Sequence, residues 1–390
     1  MPELVAADTD APPQVRVWPA KTFQTIDGFG GCFNELNWVA LGKASEADRN
    51  SVLNGLFGDD DCAFNMGRDE KSLIPYIKSA MAVRPTLKCW GSAWSPPQWM
   101  KTNDNYSKGS IKWEPPILRS YATYLARWVE AYRADGINVF AVFTQNEPSV
   151  LNNYPTCLWT GPQLREFVAN YLGPTLRDRK TNVELWLGTI NDGDFNGRVS
   201  TVMEDPKANA FITGISFQYG GHYQIGSASV LYPDKKLMQS ETECNSGKNS
   251  WSDAEKLYGL MKSYLENGAN SYFAWNMVLN ETGMSSWKWR QNALVTIDSH
   301  TGKVTFNGEY YVMRHFSQYV KPGARRVLCT GVAADKIAFV NPDGSIVLVV
   351  ANQTTQPQDV LLNMGNKSDD DTIKATLAAH SVNTFVVGSK

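Results

Sequence analysis

The chain has 390 residues, of which 43% are hydrophobic and 19% charged, and its formal net charge is −2. This length accommodates one large domain and one small domain with well-filled cores, and the composition excludes an intrinsically disordered chain. Because the charge is nearly balanced and no apolar run reaches the roughly 18 residues of a membrane span, we expect neither a nucleic-acid partner nor a spanning helix.

The six cysteines and four histidines are scattered, without CxxC or HExxH spacing, so we predict no metal and no other cofactor. The 13 Trp, 16 Tyr and 16 Phe are an enrichment that favours stacking on sugar rings. The first ten residues lack the charged and apolar regions of a signal peptide. The expected location is secreted or periplasmic if a leader was removed, and otherwise cytoplasmic. The oligomeric state stays open.

Strand-like apolar runs alternate with amphipathic helical runs from residue 24 to about residue 315. Strands are predicted at 24–31, 62–66, 87–94, 139–144, 183–187, 212–219, 236–240 and 271–276. Helices are predicted at 45–56, with Ser45 as N-cap, and at 72–82, 117–133, 161–176, 253–266 and 310–320. Eight such units indicate an α/β fold, the (β/α)₈ TIM barrel. A doubly wound sheet is the alternative, but residues 28–31 match neither GxGxxG nor a P-loop.

The helical pattern stops at Lys-Pro-Gly, residues 321–323, and only strand-like runs follow. They are predicted at 324–329, 336–341, 345–351, 359–363, 372–377 and 382–387, with a hairpin-type turn at 341–344. We interpret this part as a small antiparallel β-sandwich. The predicted domains are therefore 1–23, contributing a sandwich strand near 15–18, then a barrel at 24–320 and the sandwich at 321–390.

Two glutamates each end an apolar run: Glu147, followed by Pro148, and Glu241. The C-terminal ends of parallel barrel strands face the active site, so the two carboxylates are predicted to meet there. A single glutamate is usually solvated or capping. Two at matching strand ends are the equipment of glycoside hydrolysis, and a separation of about 5 Å would give retention of configuration. Glu243 is the alternative nucleophile, since two residues along a regular strand return to the same side.

Several longer motifs resemble glycoside hydrolase family 30, the glucocerebrosidase family. They lie at residues 24–35, 90–103, 144–148, 157–165, 239–241 and 275–276. The resemblance covers nearly the whole chain and implies a barrel with an attached β-sandwich, a retaining mechanism and no cofactor. It implies Glu147 as acid/base, Glu241 as nucleophile and Asn146 as the contact to the sugar 2-hydroxyl. Further sugar-binding residues implied by it are Glu35, Trp94, Gln218, Tyr219 and Trp275.

The chain departs from the family pattern after Arg68. Family members continue the second strand into a long loop, whereas here Asp69 leads directly into the next helical run. On the order of 30 residues, about one βα loop, are missing relative to that pattern. We expect this difference to open one side of the pocket.

The expected activity is cleavage of β-linked glucosides, as a β-glucosidase, a glucosylceramidase-like enzyme or a β-1,6-glucanase. β-Xylosidase or endo-xylanase activity is the alternative. A non-catalytic glycan-binding protein is a further alternative, should the missing loop have abolished turnover. In each case the partner is a glycoside, an oligosaccharide or a polysaccharide.

Overall fold

The computed structural model describes residues 5–6, 13–69, 74–332, 335–365 and 372–388. Within them, eight parallel strands close into a barrel. In chain order these are Gly28–Phe33, Met66–Asp69, Lys88–Ser92, Val139–Phe143, Glu184–Ile190, Ile212–Gln218, Lys236–Glu241 and Ser271–Asn276. The predicted α/β barrel is confirmed, and its strands bury side chains on both faces because helices surround it.

Side chains from several strands fill the barrel interior. Trp90, Phe143 and Phe273 pack together there, with ring centroids 4.3 and 5.3 Å from that of Trp90. The interior is therefore a packed core below the site, and the mouth of the barrel is left for chemistry.

Two of the predicted barrel strands begin four residues later in the structure, whereas the bounds of the other six differ by at most three residues. The run 24–31 is divided: Val15–Thr25 lies in the outer sheet, and the first barrel strand begins at Gly28. The second barrel strand is Met66–Asp69, later than the predicted 62–66. Cys62 and Phe64 are buried in the core outside the barrel, so the apolar run 62–64 resembles a buried strand without being one. Residues 70–73, where the missing loop would have been, lie outside the described residues.

Helices follow most strands and cover the outside of the barrel. The α-helices are Glu35–Leu41, Glu46–Phe57, Ile74–Val83, Pro115–Ala134, Gly161–Phe167, Gly173–Asp178, Thr201–Met203, Pro206–Asn209, Ile225–Leu231, Trp251–Glu266 and Gly308–Ser317. A π-helical turn, Val168–Leu172, joins two of them, and another is Asn196–Ser200. Ser45 caps its helix as predicted, by accepting from Asp48 N at 3.1 Å. No described helix is both long and apolar enough to cross a membrane.

The second domain is an eight-stranded sheet. Its strands, in spatial order, are Val5–Ala6, Thr372–Leu377, Gln358–Asn363, Val15–Thr25, Arg325–Thr330, Asp335–Val340, Ile346–Asn352 and Ser381–Val387. Alternate residues serve two cores, because side chains of a strand point to opposite faces. Leu348 and Val350 fill the sandwich, whereas Val347 and Val349 join the core shared with the barrel.

A small three-stranded sheet extends the eighth barrel strand. It consists of Val278–Asn280, Val295–Ile297 and Val304–Phe306. The loop between its first two strands carries Trp287 and Trp289, which are 42% and 36% exposed. This sheet holds an aromatic loop at the mouth of the barrel.

Candidate active site

Glu147 follows the fourth barrel strand and is only 7% exposed. Its backbone adopts φ +45°, and its N–H donates to Thr189 O at 3.2 Å. The hydroxyl of Tyr154 donates to Glu147 Oε2 at 3.0 Å. The neighbouring Asn146 is 3% exposed and accepts from Thr189 Oγ1 at 3.0 Å. The fifth barrel strand therefore supports the backbone that presents this carboxyl.

Glu241 is the last residue of the seventh barrel strand and is 5% exposed. Tyr219 Oη donates to its Oε1 at 3.0 Å, and Gln218 Nε2 donates to its Oε2 at 3.4 Å. Gln218 is held in turn by Ser240, whose hydroxyl donates to Gln218 Oε1 at 2.9 Å. Each carboxylate oxygen thus has a donor, and the two hydrogen bonds fix the orientation of the carboxylate.

The pKa shifts of two partly buried phenols indicate that the glutamates lie close together. Burial raises the pKa of Tyr154, and the carboxylates of Glu147 and Glu241 raise it further. Burial also raises the pKa of Tyr219, again with contributions from both carboxylates. Both carboxylates raise the pKa of each phenol, so the ends of the fourth and seventh strands converge on one site. Both tyrosines remain protonated hydrogen-bond donors at any working pH.

Glu243 does not join this site. The seventh strand ends at Glu241, so the alternation of a regular strand does not continue to Glu243. Its carboxylate instead pairs with Lys256 of the helix Trp251–Glu266 and is partly exposed. This geometry removes the reason for treating Glu243 as the alternative nucleophile.

A cavity of about 460 Å³ lies beside the loop after Glu147, because its lining includes Trp94 and Trp289, whose rings contact Tyr154. Trp94 and Trp275 both line it and stack on each other, with centroids 5.6 Å apart at 19°. The exposed side chain of Glu35, the first residue of its helix, lines the same cavity. The cavity also reaches the helix Pro115–Ala134 and therefore extends from the barrel mouth towards the outer helices. An aromatic lining of this kind suits sugar rings.

The structure brings the predicted site residues into two adjoining groups. Gln218 and Tyr219 contact Glu241 directly, and Asn146 precedes Glu147. The second group, which lines the cavity, consists of Glu35, Trp94 and Trp275. Among the residues described, no three acidic, histidine or cysteine side chains are grouped to hold a metal ion.

Sequence reasoning missed Tyr154, which joins the two groups. Its hydroxyl contacts Glu147, and its ring lies 5.2 Å from Trp94 and 5.8 Å from Trp289. Both tryptophans line the cavity. Tyr154 lies in a loop without periodicity, seven residues beyond Glu147, so the only available signal was an aromatic close to a candidate acid.

Comparison with known families decides the assignment. The profile of the Glycosyl hydrolase family 30 TIM-barrel domain matches residues 62–320, and that of the family's beta sandwich domain matches residues 323–385. The chain belongs to glycosyl hydrolase family 30. It is an O-glycosyl hydrolase with the barrel-and-sandwich architecture of that family.

Relatives and solved structures agree with this membership. The chain is 25% identical to the lysosomal acid glucosylceramidase of Mus musculus, over 94% of this chain and 82% of that protein. It is 26% identical to an endo-1,6-beta-D-glucanase of Aspergillus fumigatus, over 84% and 70%. The crystal structure of SrfJ from Salmonella typhimurium matches with a TM-score of 0.88 and 25% identity, covering 100% and 95% of the two chains.

Proposed function

We propose that this family 30 enzyme cleaves β-linked glucosides by double displacement, with Glu147 as acid/base and Glu241 as nucleophile. The observation that carries the proposal is the pair of buried carboxylates at the ends of the fourth and seventh barrel strands, each held by a phenol. Relatives named as glucosylceramidases and endo-1,6-glucanases support a β-glucoside substrate.

The first step forms a covalent intermediate. Glu241 attacks the anomeric carbon while the protonated Glu147 gives its proton to the glycosidic oxygen, so the aglycone leaves as an alcohol. In the second step the Glu147 carboxylate takes a proton from water, whose oxygen displaces Glu241 from the anomeric carbon. Two inversions give net retention. Asn146, beside the acid/base, is the proposed contact to the sugar 2-hydroxyl, as the family resemblance implies.

Initial rates on aryl β-glucoside, aryl β-xyloside, β-1,6-glucan and xylan test the substrate class. The roles of the glutamates are tested by Glu241→Gln, which should abolish turnover, and by Glu147→Ala, which should recover activity on an activated aryl glycoside when azide is added and yield a β-glycosyl azide. A rate on the xyloside above that on the glucoside would favour the xylosidase alternative. An α-configured product, or full activity of Glu241→Gln, would contradict the mechanism.

A further inference from the structure

Tyr154 touches both the acid/base and the aromatic wall of the cavity. Its hydroxyl lies 3.0 Å from Glu147 Oε2. Its ring contacts Trp94, Trp287 and Trp289, with centroids between 5.2 and 6.3 Å away. These ring contacts fix the position of the phenol, so its hydroxyl is held against the Glu147 carboxylate.

A buried lysine fixes the loop that carries Tyr154. Lys101 is fully buried, and its Nζ donates to Ser95 Oγ at 3.1 Å, to Tyr106 O at 3.3 Å and to Thr156 O. Thr156 is two residues beyond Tyr154, whereas Ser95 and Tyr106 belong to the loop after the third barrel strand. The ammonium group thus ties two strand-end loops together, and the position of Tyr154 is set before substrate arrives.

The hydrogen bond can hold the Glu147 carboxyl in both of its protonation states. The phenol donates to Oε2 of the carboxylate, and because a hydroxyl also accepts, the contact can persist when the carboxyl carries its proton. Tyr154 cannot supply a competing acid, since burial and the nearby carboxylates raise its pKa.

We propose that Tyr154 is a positioning residue for the acid/base, which holds the Glu147 carboxyl in the orientation that transfers its proton to the glycosidic oxygen. No bond to Tyr154 forms or breaks: the proton passes from Glu147 to the leaving oxygen, and the phenol keeps its own. This inference rests on the role proposed for Glu147.

The test compares kcat/KM of wild type and Tyr154→Phe on two glucosides, phenyl β-glucoside and 2,4-dinitrophenyl β-glucoside. Phenolate is a poor leaving group and needs the acid, whereas dinitrophenolate leaves without it. Glu147 becomes a carboxylate as its proton leaves in the transition state, so loss of the hydrogen bond to that developing charge predicts a fall of about 10- to 100-fold on the phenyl glucoside. The dinitrophenyl glucoside should lose less than about threefold, because the same acid is not required there.

Two variants serve as matched controls. Tyr219→Phe removes the equivalent hydroxyl from Glu241, so it should slow both glucosides by similar factors. Tyr311→Phe removes an exposed hydroxyl on the helix Gly308–Ser317 and should change neither rate. Trapping with a 2-deoxy-2-fluoro dinitrophenyl β-glucoside counts folded active sites, which normalises every rate even if Tyr154→Phe is partly unfolded.

A double variant decides whether Tyr154 acts through Glu147. In a Glu147→Ala background, Tyr154→Phe should add less than about a twofold loss on the phenyl glucoside, because partners in one interaction are not additive. Equal losses on both glucosides for Tyr154→Phe, or a full additional loss in the double variant, would overturn the inference alone. A Glu147→Ala enzyme with an unchanged phenyl glucoside rate would overturn the role of Glu147 and this inference with it.

Discussion

Glu309 should make the stability of this enzyme depend on pH, and Glu309→Gln should reveal it. The residue is 6% exposed in the first turn of the helix Gly308–Ser317. Its Oε1 accepts from Asn245 Nδ2 at 3.0 Å and from Asn292 Nδ2 at 3.2 Å. Burial nevertheless raises the pKa of Glu309 from 4.5 to about 7, since the amides only partly replace the water lost.

Whether stability rises or falls with pH depends on which state, folded or unfolded, binds the Glu309 proton more tightly. The folded protein binds the Glu309 proton more tightly than the unfolded chain, so its contribution to stability is fully present below pH 4.5 and lost as pH rises to about 7. At about 1.4 kcal/mol for each pH unit in that window, the loss amounts to about 3 kcal/mol. Glutamine keeps the oxygen that accepts both amide hydrogens but never ionises, so Glu309→Gln should escape the loss.

Denaturant unfolding of wild type and Glu309→Gln between pH 4 and pH 8 measures the difference. The variant should match wild type below pH 4.5 and be more stable by about 3 kcal/mol at pH 8. Glu204→Gln, at an exposed position, is the control and should follow wild type throughout. A difference between Glu309→Gln and wild type that stays constant with pH would refute the argument.

Four other substitutions test the surroundings of single residues. Burial lowers the pKa of His315 to about 4, so His315→Gln should lose less stability than wild type as pH falls from 6.5 to 4, measured by denaturant midpoint. Lys101→Met leaves buried carbonyl oxygens without their donor, so it should lower the free energy of unfolding by about 2 kcal/mol or more and also lower kcat. Gly161→Ala places a Cβ 1.8 Å from Gly197 O and should destabilise the protein by about 1–3 kcal/mol in denaturant unfolding. Gly259→Ala, in an open helical position, should stabilise it by up to about 1 kcal/mol in the same measurement.

The periodicity of the sequence made the barrel predictable, and the strands that were predicted wrongly or missed have local causes. Long amphipathic helices such as Pro115–Ala134 bury one face, so their pattern is clear in the sequence. The second strand was placed too early because the apolar run 62–64, whose Cys62 and Phe64 pack outside the barrel, resembles a buried strand. The small sheet beginning at Val278–Asn280 escaped prediction, since three-residue strands are too short to show a period.

Some residues of the candidate site could likewise be predicted from the sequence, and others could not. Glu241 could be predicted because it terminates a strand, and the barrel fold then dictates where that end points. The donors that orient the carboxylates could not be predicted equally well. Tyr219, immediately after the sixth strand, adopts φ +46° and so directs its hydroxyl to Glu241. Tyr154 contacts Glu147 from a loop that Lys101 fixes by a hydrogen bond. Such positions depend on loop conformations that leave no periodic trace.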